Sequence, residues 1–195
     1  MNIQTPQQAS SNIAQINLAR QQKLSLLDVL QLSDELSRAG QQAAAAELYK
    51  NWVAFNDENP LIHIAYFNYG VCLAQAGDAA GAVQALRACV KIDPGFGPGH
   101  INLGRQLEDN GLLLQAVQQW QKYVNETAQV TPDRVSHRQM VLQNIGRVLE
   151  SADQMEEAEK NLLAAFELQP SHVENGQHWA SLRQRQCKWP VLAPS

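Results

Sequence analysis

Three asparagines occupy one place in a recurring pattern. Asn68, Asn102 and Asn144 each stand immediately before an aromatic- or aliphatic-glycine pair: Tyr69-Gly70, Leu103-Gly104 and Ile145-Gly146. Gln31 and His178 hold the same place towards the two ends of the chain. A carboxamide offers both a donor and an acceptor, so a row of them can hydrogen-bond the peptide groups of an extended polypeptide, reading its backbone more than its side chains. The competing role is structural, a cap or a bond to a neighbouring helix. Arg105 and Arg147 follow Asn102 and Asn144 by three residues, which sets each beside its asparagine on one helix face. They can steer acidic segments of a ligand. Alternatively they pair along their own helices with Glu108 and Glu150, an interaction of about 0.2–0.5 kcal/mol.

The elements that must position these residues are legible in the spacing. Tyr66-x2-Tyr69-Gly70-x2-Leu73, His100-x2-Leu103-Gly104-x2-Leu107 and Leu142-x2-Ile145-Gly146-x2-Leu149 repeat one motif. Twelve residues after each Gly comes Ala82, Ala116 or Ala158, and four later Leu86, Trp120 or Leu162. Pro94 and Pro170 close two of the units. A period near 34 residues in this pattern resembles the tetratricopeptide family. The resemblance implies an all-α fold, a right-handed superhelical solenoid of about four helix pairs plus a terminal helix. Gly and Ala are small where the two helices of a pair cross closely, and in such a stack the asparagine position faces the concave groove.

The expected units are about 26–62, 63–96, 97–138 and 139–172, with a half unit at 173–187. Residues 1–24 read as a polar, partly disordered segment, with Ile13 and Ile16 able to form a weak amphipathic turn. Ser25-x-x-Asp28 reads as a capping box. In the first unit Ser33 takes the glycine place, and Trp52 falls where a small residue is expected, so it must cover an open end or hold its helix away. Gly95-Phe96-Gly97-Pro98-Gly99 reads as a loose joint. Gly104 and Gly146 are 42 residues apart, and the surplus around Thr131-Pro132 is expected to lengthen the flanking helices. Trp179-Ala180 repeats the Leu-Gly place in a fifth unit with no second helix, which suggests an N-terminal portion of something longer, an uncovered apolar end, and self-association through that last helix.

Composition removes several function classes. The chain has 195 residues, 45% of them apolar, 17% charged, and a net charge of −4. A general nucleic-acid or anionic-membrane binder would need a basic face. No apolar run is long enough to span a bilayer, and the Gln-rich start lacks the form of a signal peptide. Cys72, Cys89 and Cys187 have no metal or disulfide spacing, and Cys72 and Cys89 read as reduced core residues. The five histidines lack metal-ligand spacing, and no phosphate loop, dinucleotide fingerprint or nucleophile elbow is present. No cofactor and no metal are expected, and the cytoplasm is the expected compartment.

Two features narrow the resemblance. The asparagine row is similar to that of protein O-linked N-acetylglucosamine transferases. The stretch Gln177-His178-Trp179-Ala180-Ser181-Leu182-Arg183-Gln184-Arg185-Gln186-Cys187-Lys188-Trp189-Pro190 resembles the junction between repeats and catalytic domain in bacterial SPINDLY-type members. This implies a parent enzyme that moves a sugar from a UDP-sugar to Ser or Thr, with its donor site beyond residues 188–195. The chain itself would bind and orient acceptor polypeptide through Asn68, Asn102, Asn144, Arg105 and Arg147 without catalysing transfer. The alternative is a stand-alone adaptor or assembly factor. A carboxylate clamp of the co-chaperone kind is not expected, because Phe67 and Val71 stand at its positions. Nothing in the sequence suggests an independent small enzyme.

Overall fold

The computed structural model describes residues 24–127, 131–170 and 173–188, and the regular elements among them are all α-helices. Helices α1 (Leu26–Arg38), α2 (Gln42–Phe55), α3 (Ile62–Gln75) and α4 (Ala79–Ile92) form one compact unit. Helices α5 (Gly97–Asp109), α6 (Leu113–Glu126), α7 (Pro132–Ser151), α8 (Met155–Leu168) and α9 (Val173–Arg185) form a second, divided from the first between Asp93 and Pro94. Within each unit every helix packs on the next, the helical-repeat class expected from the spacing. The expectations for residues 1–23 and for Trp189-Pro190 onward lie outside the described residues.

The first helix of every pair ends in the same turn. Gly40, Gly77 and Gly111 have φ of 73°, 87° and 75°, the left-handed conformation that a β-carbon disfavours. The next backbone N–H donates back to the carbonyl of Leu36, Leu73 or Leu107 at 2.8–2.9 Å, which satisfies a carbonyl the helix end leaves open. Asp153 and Cys187 make this turn without glycine, at φ 60° and 55°, with bonds from Gln154 to Leu149 and from Lys188 to Arg183. At the opposite end of α1, Ser25 and Asp28 form the expected capping box, at 2.8 and 3.2 Å.

Each pair crosses where the spacing places its glycine. A β-carbon on Gly70 would stand 2.7 Å from Leu86 Cγ, and one on Gly146 would stand 2.6 Å from Leu162 Cγ. In the first unit Ser33 keeps a hydroxyl at this place, 3.8 Å from Cys72 Sγ. Trp52 resolves its anomaly by full burial in the core of Val29, Leu48, Tyr49 and Ile62. Its indole Nε1 donates to the Leu24 carbonyl at 2.9 Å, covering the entrance to α1.

Three expectations are corrected. Gly97 and Gly99 are not a loose joint but the buried first turn of α5. A β-carbon on Gly97 would meet His137 and the Tyr123 hydroxyl at 2.8 Å, so close packing explains the glycine. Of the two helices that flank the surplus near residue 131 only α7 is lengthened, with 20 residues where α6 has 14. Thr131 precedes Pro132 at its start but makes no side-chain cap bond. The added turn carries Arg138, whose Nη1 donates to the carbonyls of Val124 and Thr127 at 2.6 and 2.9 Å and so closes the end of α6. Finally, Trp179 is no sticky end. It is 2% exposed and stacks on Phe166 at 5.8 Å, while Gln177, Ser181, Gln184 and Arg185 are exposed on the same helix.

Candidate peptide-binding face

The asparagine place is half-buried on the first helix of its pair in α3, α5 and α7. Asn68 Nδ2 donates to the Ile64 carbonyl at 2.8 Å, one turn back on α3. Asn102 Nδ2 donates to the Pro98 carbonyl at 3.0 Å in the same way on α5. This ties the nitrogen of both carboxamides to its own helix and leaves the oxygen as an acceptor. Asn144 departs from the pattern: its amide nitrogen is buried and makes no hydrogen bond.

Within the second unit the face extends as three parallel stripes. Asn102, Arg105 and Glu108 run along α5 at three-residue steps, and Asn144, Arg147 and Glu150 run along α7. His178 and Arg185 belong to α9. Arg147 reaches across to α5 and clasps Glu108 with two bonds of 2.7 Å. Glu150 in turn accepts from His178 at 2.5 Å and from Arg185. The two glutamates that share this repeat position therefore join helix to helix, not residue to residue along one helix. Arg147 does not pair with Glu150, and its guanidinium is engaged, so it does not stand ready to steer an acidic ligand. Arg105 is exposed and acts on Glu108 through its charge.

These bonds set the electrostatics. The bond from Arg147 lowers the Glu108 carboxyl below the ordinary range, and the same bond raises Arg147. Burial pushes Glu150 upward, but the bonds and charges of His178 and Arg185 outweigh it and the net shift is down. The shifts of Glu108, Arg147 and Glu150 all favour the charged form of the group.

A tetratricopeptide-repeat family model matches residues 30–95, and a second matches residues 141–172. The chain is a tetratricopeptide repeat protein. No curated protein matches the sequence. Among solved structures, the C-terminal part of a tetratricopeptide repeat-containing protein from Cytophaga hutchinsonii is similar at 15% identity and a TM-score of 0.69, covering 94% of this chain and 69% of that one. PilF from Pseudomonas aeruginosa is similar at 15% identity and 0.65, covering 90% and 72%. MamA from Desulfovibrio magneticus RS-1 is similar at 18% and 0.61, covering 89% and 86%. At these identities the likeness is one of fold.

Two residues of the tetratricopeptide face, Glu108 and Glu150, escaped the reading as inter-helix partners. Their signal was present: each lies four residues after its glycine, as each arginine lies one after it. Among the described residues no group of three or more His, Cys, Asp or Glu could hold a metal ion, and no helix is long and apolar enough to cross a membrane.

Proposed function

We propose that the chain is a protein-interaction scaffold whose units each hold extended polypeptide on the first helices of their repeats, with Asn68 as the backbone-reading contact in the first unit and Asn102 and Asn144, beside Arg105, in the second. Repeat stacks of this kind use the surface of their first helices for binding. The observation that carries the reading is the pair of identical asparagine bonds, to Ile64 and to Pro98. Each anchors the carboxamide to its own helix and presents an acceptor of fixed direction, which lowers the entropy cost of bonding a peptide N–H. The test is fluorescence anisotropy with a labelled unfolded polypeptide. Replacing all three asparagines by Ala should weaken binding by about tenfold or more while the thermal melt holds. Unchanged affinity would sink the reading.

A narrower role, as the acceptor-recognition arm of a protein O-glycosyltransferase, rests on the resemblance of residues 177–190 to the SPINDLY-type junction. The intact mass of the native protein tests it, since that role requires a longer product carrying a transferase domain. An adaptor is the competing account. It is favoured if the chain binds a folded partner and has no affinity for extended peptides.

A further inference from the structure

The exposed large apolar side chains of the first unit are gathered, not scattered. Among its described residues they are Leu27, Phe55, Leu61 and Ile92, between 43% and 63% exposed. Leu27 is the second residue of α1, Phe55 the last of α2, Leu61 the residue before α3 and Ile92 the last of α4. Consecutive helices pack on one another through short turns, so they alternate in direction. The starts of α1 and α3 and the ends of α2 and α4 therefore share one edge of the unit. The turns at the opposite edge, 39–41 and 76–78, carry only Ala, Gly, Gln and Asp. The apolar edge is also acidic. Among the described residues there, Asp28, Asp57, Glu58 and Asp93 outnumber Lys91, and His63 lies 3.7 Å from Asp93. Single exposed apolar residues need no explanation, but a gathered set marks an interaction surface.

We propose that residues 9–20 of this chain cover that edge, with Ile13 and Ile16 on its apolar side chains and Arg20 answering its acids. Residues 1–23 carry Ile13, Ile16 and Leu18, two cations in Arg20 and Lys23, and no acid, the complement of the edge. In a helix Ala9, Ile13 and Ile16 share one face. The segment is rooted in the right place: Trp52 Nε1 donates to the Leu24 carbonyl at 2.9 Å, which pins its exit beside the last turn of α2 and Phe55. Four neighbouring helices at spacings of about 8–10 Å make an edge of about 25–30 Å. The eleven residues from Ile13 to Leu24 span about 16 Å as helix and up to about 40 Å extended, so the segment reaches it. A tethered segment acts at high effective concentration, so a contact of few residues suffices.

Hydrogen exchange on the full chain tests this. In the wild type the amides of residues 9–20 should exchange at least about tenfold more slowly than in an unstructured peptide of the same sequence, and equally so after tenfold dilution. Ile13→Asp with Ile16→Asp should abolish that protection and speed exchange in the 56–61 turn several-fold. Leu27→Ser with Leu61→Ser, both at exposed sites, should also remove it while α3 and α4 stay within about twofold of wild type. Wild-type exchange of residues 9–20 at the free-peptide rate overturns the proposal. So does protection that Leu27→Ser with Leu61→Ser leaves intact, which would seat the segment elsewhere. Protection that falls on dilution would give the edge to a second copy, and overturns it too.

Discussion

Trp120 lies across Gly104 so closely that a β-carbon at position 104 would fall inside the indole ring's van der Waals surface, nearest Nε1. The same Nε1 points to the Ile101 carbonyl at 3.4 Å, and Trp120 is fully buried. An indole is rigid, whereas Leu86 over Gly70 and Leu162 over Gly146 can change rotamer. Gly104→Ala should therefore cost about 3 kcal/mol, and Gly70→Ala or Gly146→Ala about 1–2 kcal/mol. Urea denaturation of the three variants checks the order; equal losses would mean that α6 shifts freely to accommodate the methyl group.

Glu159 is 5% exposed. Burial raises its carboxyl, but bonds from Lys188 and Arg183 and their charges bring it below the ordinary value. Glu159→Gln should cost about 3–5 kcal/mol in the contact of α9 with α8, because it removes the buried carboxylate that accepts from Arg183 and Lys188. A lowered folded pKa makes the stabilisation complete above the unfolded value of about 4.3, and it is lost as pH falls through the folded value. Acid titration followed by Trp fluorescence should show an early loss in the wild type that the variant lacks.

His100 titrates in another window. The ring is fully buried, with Nδ1 2.8 Å from Gln119 Nε2 and its centre 5.1 Å from that of the Tyr123 ring. Burial lowers its pKa, against opposing contributions from Gln119, Glu126 and the Pro94 backbone. The folded state thus prefers neutral His100. Its contribution is full above about pH 6.5 and falls as pH drops from there towards the lowered folded value, by about 1.4 kcal/mol per unit. Urea midpoints between about pH 7.5 and 5.5 should decline, and His100→Gln should flatten that slope.

Thiol chemistry should single out Cys187. It is exposed, whereas Cys72 and Cys89 are buried, and burial pushes Cys89 up to about 12. Alkylation of the native protein should mark Cys187 at once and the other two only on unfolding. Cys187→Gly should also stabilise the end of α9 by about 1 kcal/mol, since φ is 55° there. A fall in the melting temperature would contradict that.

Much of this architecture is legible in the sequence because it is steric. Gly70, Gly104 and Gly146 with their large partners announce the helix crossings, and Gly40, Gly77 and Gly111 announce the turns. Asp153 and Cys187 make the same turn with no glycine to signal it. Gly97 and Gly99 look like a flexible joint by composition, and only the neighbouring Tyr123 and His137 reveal why Gly97 is small. Arg147 illustrates the limit for the candidate site. Its three-residue spacing to Glu150 suggests a local pair, but the fold brings Glu108, 39 residues away, into better geometry. The asparagine places could be read as a register, while their bonds to Ile64 and Pro98 depend on rotamers that spacing does not specify.

The clasp between Arg147 and Glu108, with Glu150 closed by His178 and Arg185, has a kinetic consequence. A face whose charges are already satisfied projects little field into solvent, so it cannot draw a partner in from a distance. Encounter with that part of the second unit should then run near the unsteered rate of about 10⁵–10⁶ M⁻¹ s⁻¹ and change little with ionic strength. What distinguishes a good partner from a poor one will be how long it stays.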